Sequence, residues 1–272
     1  MPEVVVASFN VHGGVDGYGR PYDVVAACRK LDADVLVLQE TWTPSVGEAL
    51  APSVADELGY RVEELPMTRA RLCSAPAAAV PPAAWGPTLI QRGPYGLRVG
   101  ERRGPPRRPP RRSFPSVAGV WGLAVLCRVP VRQVTTIDLG QLRRDPARRG
   151  AIAFDLDVGA PLRVVGTHLS HLSHGSVLQL ARLRRRLGED GAPTVLAGDM
   201  NMWGPLLSSL LPGWSRVVRG RTWPAWRPVA QIDHILVTGG IRPGEEGQVV
   251  DIAGSDHLPV RARLEVPPTP TR

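Results

Sequence analysis

Thr194-Val195-Leu196-Ala197-Gly198-Asp199-Met200-Asn201 runs four apolar-strand residues straight into a glycine, a carboxylate and an amide. A short apolar run bounded by a turn signal reads as a strand buried on both faces. A carboxylate at the mouth of such a strand is expensive as packing and useful as chemistry. The arrangement recurs nearby. Asp233-His234 precedes Ile235-Leu236-Val237, and Gly254-Ser255-Asp256-His257 precedes Leu258-Pro259-Val260. Three Asp, an Asn and a His gathered at strand ends point to metal-assisted attack on a phosphate ester.

The same pattern extends upstream. Val4–Phe9 reads as a buried strand ending at Asn10, followed by a Gly-rich loop from His12 to Gly19. Asp34 to Glu40 reads as a second buried strand that ends in a carboxylate. Between them, Val24, Val25, Cys28 and Leu31 have helical spacing, with Pro21 suited to an early helix position. Residues 46–58 predict a helix interrupted near Pro52, and Tyr60–Leu65 a strand. Further strands are expected at Val120–Leu126, Arg132–Asp138, Ala151–Val158, Leu162–His168, Thr194–Ala197, Ile232–Val237 and Leu258–Leu264, with a helix over Ser176–Leu187. Asn10 after one strand, and Asp199 and Asn201 after another, hint at two similarly built halves.

Between Cys73 and Pro115 the pattern dissolves. Repeated prolines remove backbone donors and fix φ, so no central strand can run through most of this stretch. We read about 74–116 as an insertion within a single domain spanning 1–266, with a loose tail at 267–272. The insertion also carries the charge. Residues 92–112 hold eight Arg against one acid, Glu101, which accounts for +7 of the chain's +8. The remaining surface is nearly neutral, which argues against tight binding of duplex nucleic acid. The Arg/Pro tract itself is suited to an acidic or nucleic-acid partner.

Cys28, Cys73 and Cys127 are scattered and odd in number, which argues against a disulfide framework and fits a reducing compartment. Met1-Pro2-Glu3-Val4 leads directly into a strand without the basic and long apolar regions of a signal peptide. No apolar run reaches the roughly 20 residues that span a bilayer. A monomeric cytoplasmic protein is the expectation.

Collected in order, Ser8-Phe9-Asn10, Leu38-Gln39-Glu40, Gly166-Thr167-His168-Leu169, Gly198-Asp199-Met200-Asn201, Ile232-Asp233-His234 and Ser255-Asp256-His257 resemble the endonuclease/exonuclease/phosphatase superfamily, the deoxyribonuclease I-like proteins. The resemblance implies an α/β fold, a four-layered sandwich of two packed mixed β-sheets flanked by helices. It also implies a divalent-metal-dependent phosphoesterase using Mg²⁺, with Mn²⁺ as a substitute. Glu40 is then the primary metal ligand, with Asn10 and Asp256 beside it. By the same resemblance His257 polarises the phosphate or activates water, and Asp233 fixes its tautomer. His168 and Asn201 hold phosphate oxygens, and Asp199 orients the water or manages the leaving-group proton. Arg149, expected just before a strand, either faces the phosphate or is a solvated loop arginine.

Several positions depart from the family's pattern or compete with it. His12 stands where many family nucleases carry Asp or Gln, and an ordinary loop role is expected for it. His234 replaces a frequent aromatic and is expected to be structural. His168, His171 and His174 have a spacing that superficially suggests zinc, but Gly175 and the neighbouring serines read as loop. Trp203, Trp214, Trp223 and Trp226 fall on loops near the expected mouth, suited to stacking a base or to simple packing. The expected reaction is hydrolysis of a phosphodiester, as in a nuclease. The alternatives are a phosphatase or phosphodiesterase for a small molecule, inositol phosphate or phospholipid, and a non-catalytic binding protein on the same fold.

Overall fold

The computed structural model describes residues 1–74, 96–99, 116–187, 191–252 and 254–268. In chain order the first strands are β1 (Glu3–Asn10), β2 (Val35–Pro44), β3 (Arg61–Cys73), β4 (Gly96–Val99) and β5 (Val117–Cys127). Next come β6 (Val131–Gln141), β7 (Arg148–Asp157), β8 (Pro161–His168) and β9 (Thr194–Asp199). The last are β10 (Ser215–Arg216), β11 (Asp233–Val237), β12 (Arg242–Pro243), β13 (Gln248–Val249) and β14 (Val260–Glu265). Helices are α1 (Val24–Leu31), α2 (Leu50–Leu58), α3 (Ser173–Leu187) and α4 (Gly204–Leu210).

The strands form two mixed sheets. One has the order β12-β14-β1-β2-β5-β3-β4, with β13 also on β14; the other has the order β10-β11-β9-β8-β7-β6. Period-2 alternation sorts each strand's side chains into two cores. In β1, Val4 and Val6 enter a core between the sheets, while Val5, Ala7 and Phe9 pack with α1 and α2. In β9, Val195 and Ala197 face the other sheet, while Leu196 packs with Leu180 and Leu183 of α3. The expected four layers follow from strands that are apolar on both faces.

Each sheet is built round one parallel pair, β1–β2 across α1 and β8–β9 across α3. In both, antiparallel strands flank the pair. The two halves anticipated from the sequence are therefore present, but their correspondence differs. Asn10 ends the first strand of its pair, as His168 does, and Asp199 ends the second.

Some local readings are corrected. Asp23, whose carboxylate accepts from Ala26 N at 2.8 Å, caps α1, so Pro21 lies outside the helix and bridges to Val15 instead. Pro52 does not interrupt α2, because it sits in the first turn, where its missing N–H has no intrahelical partner to lose. β3 continues past Pro66 to Cys73; β4 pairs only with its Ala70–Cys73 end, so Pro66 breaks no ladder on that side. The helix read from Ser176 already begins at Ser173 and includes His174 and Gly175. A Cβ on Gly175 would lie 2.2 Å from Leu142 Cδ1, so the glycine reflects close packing rather than a loop. β7 begins at Arg148, which puts Arg149 within the strand. Most of the expected insertion and the end of the expected tail lie outside the described residues. No described helix is long and apolar enough to cross a membrane.

Candidate active site

Strand alternation also decides where the polar strand-end residues point. In β1, Asn10 shares the parity of Val4 and Val6; in β9, Asp199 shares that of Val195 and Ala197; in β11, Asp233 shares that of Ile235 and Val237. His168 likewise follows Val164. All four therefore occupy the inter-sheet face at one end of the sandwich, where the apolar core gives out.

Glu40 is the exception that the backbone corrects. Its parity in β2 matches Leu36 and Leu38, which face the helices. Glu40 has φ of +57°, and the register with β5 shifts between Gln39 and Thr41. This bulge exchanges the two faces, so that Trp42 rejoins Val35 and Val37 in the inter-sheet core. The left-handed conformation is costly for a residue with a Cβ and is found where the surroundings impose it. His12 (φ 46°) and Asn201 (φ 50°) share it.

Asp199 is the hub. Asn10 Nδ2 donates to its Oδ2 at 3.2 Å, and Asn201 N donates to its Oδ1 at 2.9 Å. His168 pairs with it in the parallel register and Asp233 faces it in the antiparallel one. His168 Nε2 stands 3.6 Å and His257 Nε2 3.9 Å from Oδ2. Burial, then the nearby Asp233 charge, pushes the Asp199 pKa up to about 7, with Glu40 adding to the effect. His257 Nδ1 lies 3.0 Å from Asp233 Oδ2 and 3.2 Å from Oδ1, an interaction that joins the loop before β14 to the opposite sheet. Burial by itself disfavours the imidazolium, but the charges of Asp233, Asp256 and Asp199 outweigh it and hold the His257 pKa well above the ordinary value. His168 goes the other way: burial and the Arg149 charge drive its pKa well below the ordinary value, so its ring is neutral.

The backbone round these groups is pinned. Ser255 Oγ donates to Asn10 O at 2.6 Å and accepts from His257 N at 3.2 Å, and Tyr22 Oη donates to Val11 O at 3.0 Å. Thr222 Oγ1 accepts from the Ile232 and Asp233 amides. Asn201 Nδ2 donates to Leu169 O at 3.0 Å.

Arg149 is not a solvated loop residue. It is 4% exposed; Nε donates to Asp145 Oδ2 at 3.0 Å and Nη1 to His168 O at 3.5 Å. Its guanidinium lies 4.8 Å from the Trp121 ring centroid, and the His168 ring lies 5.1 Å from the same ring. Burial of Asp145 alone would raise its pKa, but the Arg149 charge and hydrogen bonds to its oxygens bring it below the ordinary carboxylate range.

Sequence reasoning missed Asp145, Trp121, Tyr22 and Ser255 as supports. Asp145 left one signal, a lone acid four residues before Arg149. His12, expected in an ordinary loop role, is buried in the site with Nδ1 3.3 Å from Asp256 Oδ1. His234 is structural: its Nε2 meets Met202 O at 2.9 Å, and burial lowers its pKa to about 4. His171 and His174 are exposed, apart from buried His168. Of the tryptophans, Trp223 lies 6.5 Å from the His257 ring and Trp226 meets Tyr18 at a tilt, 5.9 Å between ring centroids. Trp203 is 71% exposed beside Met202, and Trp214 packs under α3 and α4.

Among the described residues, one group of acid and imidazole donors lies close enough together to hold a metal ion. Asp199, Asp233 and His257 each offer an atom within 4.8 Å of the others. Both Asp233 oxygens, however, already face His257 Nδ1. The ligands expected from the sequence are instead Asn10, Glu40 and Asp256. Asn10 Oδ1 accepts only from His12 N, and the Glu40 carboxylate has no hydrogen-bond or ion-pair partner among the described residues. Asp256 Oδ1 is met by Ser255 Oγ at 3.4 Å and His12 Nδ1 at 3.3 Å; oxygen donors of these kinds fit a hard cation.

The family model described as Endonuclease/Exonuclease/phosphatase family matches residues 7–257. No curated protein matches the chain by sequence. Among solved structures, an endonuclease/exonuclease/phosphatase family protein from Leptotrichia buccalis superposes with a TM-score of 0.65 at 12% identity, covering 97% of this chain and 100% of that one. An endonuclease/exonuclease/phosphatase from Beutenbergia cavernae gives 0.62 at 21% identity, covering 98% of this chain and 72% of that one. TDP2 from D. rerio, complexed with a single-strand DNA product, gives 0.58 at 15% identity, covering 97% and 99%. The family match over nearly the whole chain, on a fold with two packed mixed sheets and a strand-end site of Asn, Glu, His and Asp, leads to one conclusion: this protein belongs to the endonuclease/exonuclease/phosphatase family of phosphoesterases.

Proposed function

We propose that the protein is a divalent-metal-dependent hydrolase of phosphodiester bonds, acting by in-line attack of an activated water. The observation that carries this reading is the Asp233–His257 pair directed at Asp199, whose pKa is also raised by the charge of Glu40. A cation held by Glu40, Asn10 and Asp256, Mg²⁺ or Mn²⁺, supplies Lewis-acid stabilisation of the phosphoryl oxygens when bound.

The chain's own residues do the rest. Asp199 has one oxygen tied to Asn201 N and the other near Asn10, His168 and His257, so it is fixed to orient the nucleophilic water. His257 presents Nε2 to the substrate because Asp233 occupies Nδ1, and its protonated ring stabilises charge on a non-bridging oxygen. His168 and the second N–H of Asn201 bind the other phosphate oxygens. Arg149, with Asp145 and the Trp121 face already engaging its guanidinium, supports this wall and brings positive charge towards the phosphate.

A nucleic-acid strand is the favoured substrate class, supported by the exposed Trp203 two residues after Asn201 and by Trp223 beside His257. A small phosphoester is the second reading, favoured by the near-neutral charge outside the Arg/Pro tract. Hydrolysis of a generic phosphodiester should vanish with a chelator, return with Mg²⁺ or Mn²⁺, and be lost in Asp199→Asn. Metal-independent turnover would refute the assignment. Between the substrate classes, salt decides. A steep fall in activity with added salt marks a polyanionic strand, and indifference to salt marks the small phosphoester.

A further inference from the structure

We propose that His12 Nδ1 is a fourth ligand of the cation held by Asn10, Glu40 and Asp256. The centre is then a mixed nitrogen–oxygen site that takes Mn²⁺ in preference to Mg²⁺. The inference rests on the metal assignment in the proposed function and deepens it.

His12 is only 7% exposed, and its Nδ1 is buried without a hydrogen-bond partner among the described residues. Nδ1 lies 3.3 Å from Asp256 Oδ1, at ion-pair distance but without the alignment of a hydrogen bond. A buried ring nitrogen left in this state is destabilising unless something takes its lone pair. The backbone adds a second cost, because His12 has φ of +46°.

That conformation is imposed from every side. His12 N donates to Asn10 Oδ1 at 3.1 Å, Val11 N to Gln39 O at 2.9 Å and Gly14 N to Val11 O at 2.8 Å. Tyr22 and Ser255 hold the carbonyls of Val11 and Asn10. A turn held this way keeps an imidazole nitrogen that makes no hydrogen bond beside a carboxylate and next to Asn10, whose amide it also orients. Preorganised donors of this kind are what a metal centre requires.

The donor chemistry sets the preference. Three oxygen donors alone suit Mg²⁺, whereas imidazole favours first-row transition ions. A nitrogen ligand therefore raises the affinity for Mn²⁺ relative to Mg²⁺.

The test uses the full chain loaded with Mn²⁺ as a paramagnetic probe. Pulsed electron paramagnetic resonance should detect coupling to a histidine nitrogen, and His12→Asn should abolish it. Asparagine tolerates the left-handed backbone, so the fold survives; circular dichroism checks this. Calorimetric titration should show the Mn²⁺-over-Mg²⁺ affinity ratio falling roughly tenfold or more in that variant. Bound Mn²⁺ without nitrogen coupling in the wild type would overturn the inference. So would coupling that persists in His12→Asn, since it would come from another ring such as His257. Glu40→Gln separates the two levels: if Mn²⁺ binding depends on Glu40 but shows no His12 coupling, the proposed function stands and this inference falls. Binding indifferent to Glu40 overturns the metal assignment beneath both.

Discussion

Asp233 Oδ2 lies 3.0 Å from His257 Nδ1, which commits the other ring nitrogen to the side of Asp199, 3.9 Å away. In Asp233→Asn the imidazole loses the charge that holds its proton and the acceptor that fixes its tautomer. We expect kcat on a generic phosphodiester to fall by about 10²–10⁴, the range typical of positioned acid–base groups. Substrate KM and the melting temperature should change far less. Unaltered kcat would remove this pair from the reaction.

Arg149 and Asp145 form a pair with side chains 4% and 0% exposed. Breaking such a pair leaves an uncompensated buried charge, so Asp145→Asn should destabilise the fold by about 3–5 kcal/mol at neutral pH. The native carboxyl titrates below its ordinary value. Its contribution is therefore complete above the unfolded value, about 3.9, and is lost as pH falls through the lower folded value. Denaturant unfolding should show a constant gap between wild type and variant at neutral pH, narrowing only below about pH 4. A gap that closes at higher pH would contradict this.

Glu40 is held at φ +57°. If the left-handed backbone exists to aim the carboxylate, glycine should tolerate the position better than alanine. In the presence of a chelator, Glu40→Gly should be more stable than Glu40→Ala by about 1–2 kcal/mol, and both should lack metal-dependent activity. Equal melting temperatures would show that the bulge relaxes when the side chain is removed.

Gly166 sets how closely the sheets approach. A Cβ there would lie 2.6 Å from Val125 Cγ2 and 2.7 Å from Val37 Cγ1, across the inter-sheet core. Gly166→Ala should cost about 1–3 kcal/mol in thermal or urea unfolding, as overpacked cores do. A neutral result would mean that the two valines can yield.

Much of this was legible in the sequence because strand burial leaves a period. The apolar runs that end at Asn10, Glu40, His168 and Asp199, and the one that begins at Asp233, marked the strands and hinted at two similarly built halves. What alternation could not supply was direction after a bulge. Nothing in Leu38-Gln39-Glu40 announces that Glu40 turns to the other face. Nor could spacing reveal the supports, since Asp145, Trp121 and Tyr22 reach the site only through tertiary packing. Nor does a Gly-rich stretch reveal that its backbone hydrogen bonds bury His12 beside Asp256.

The Asp233–His257 contact also spans the two sheets, one partner from each. The first sheet and its loops supply Asn10, Glu40, Asp256 and His257, and the second supplies His168, Asp199 and Asp233. Neither half owns a working set. On the proposed roles, a molecule with only one sheet in place lacks the acid–base couple and should show no turnover. Turnover, on the same reading, would report that both sheets have assembled.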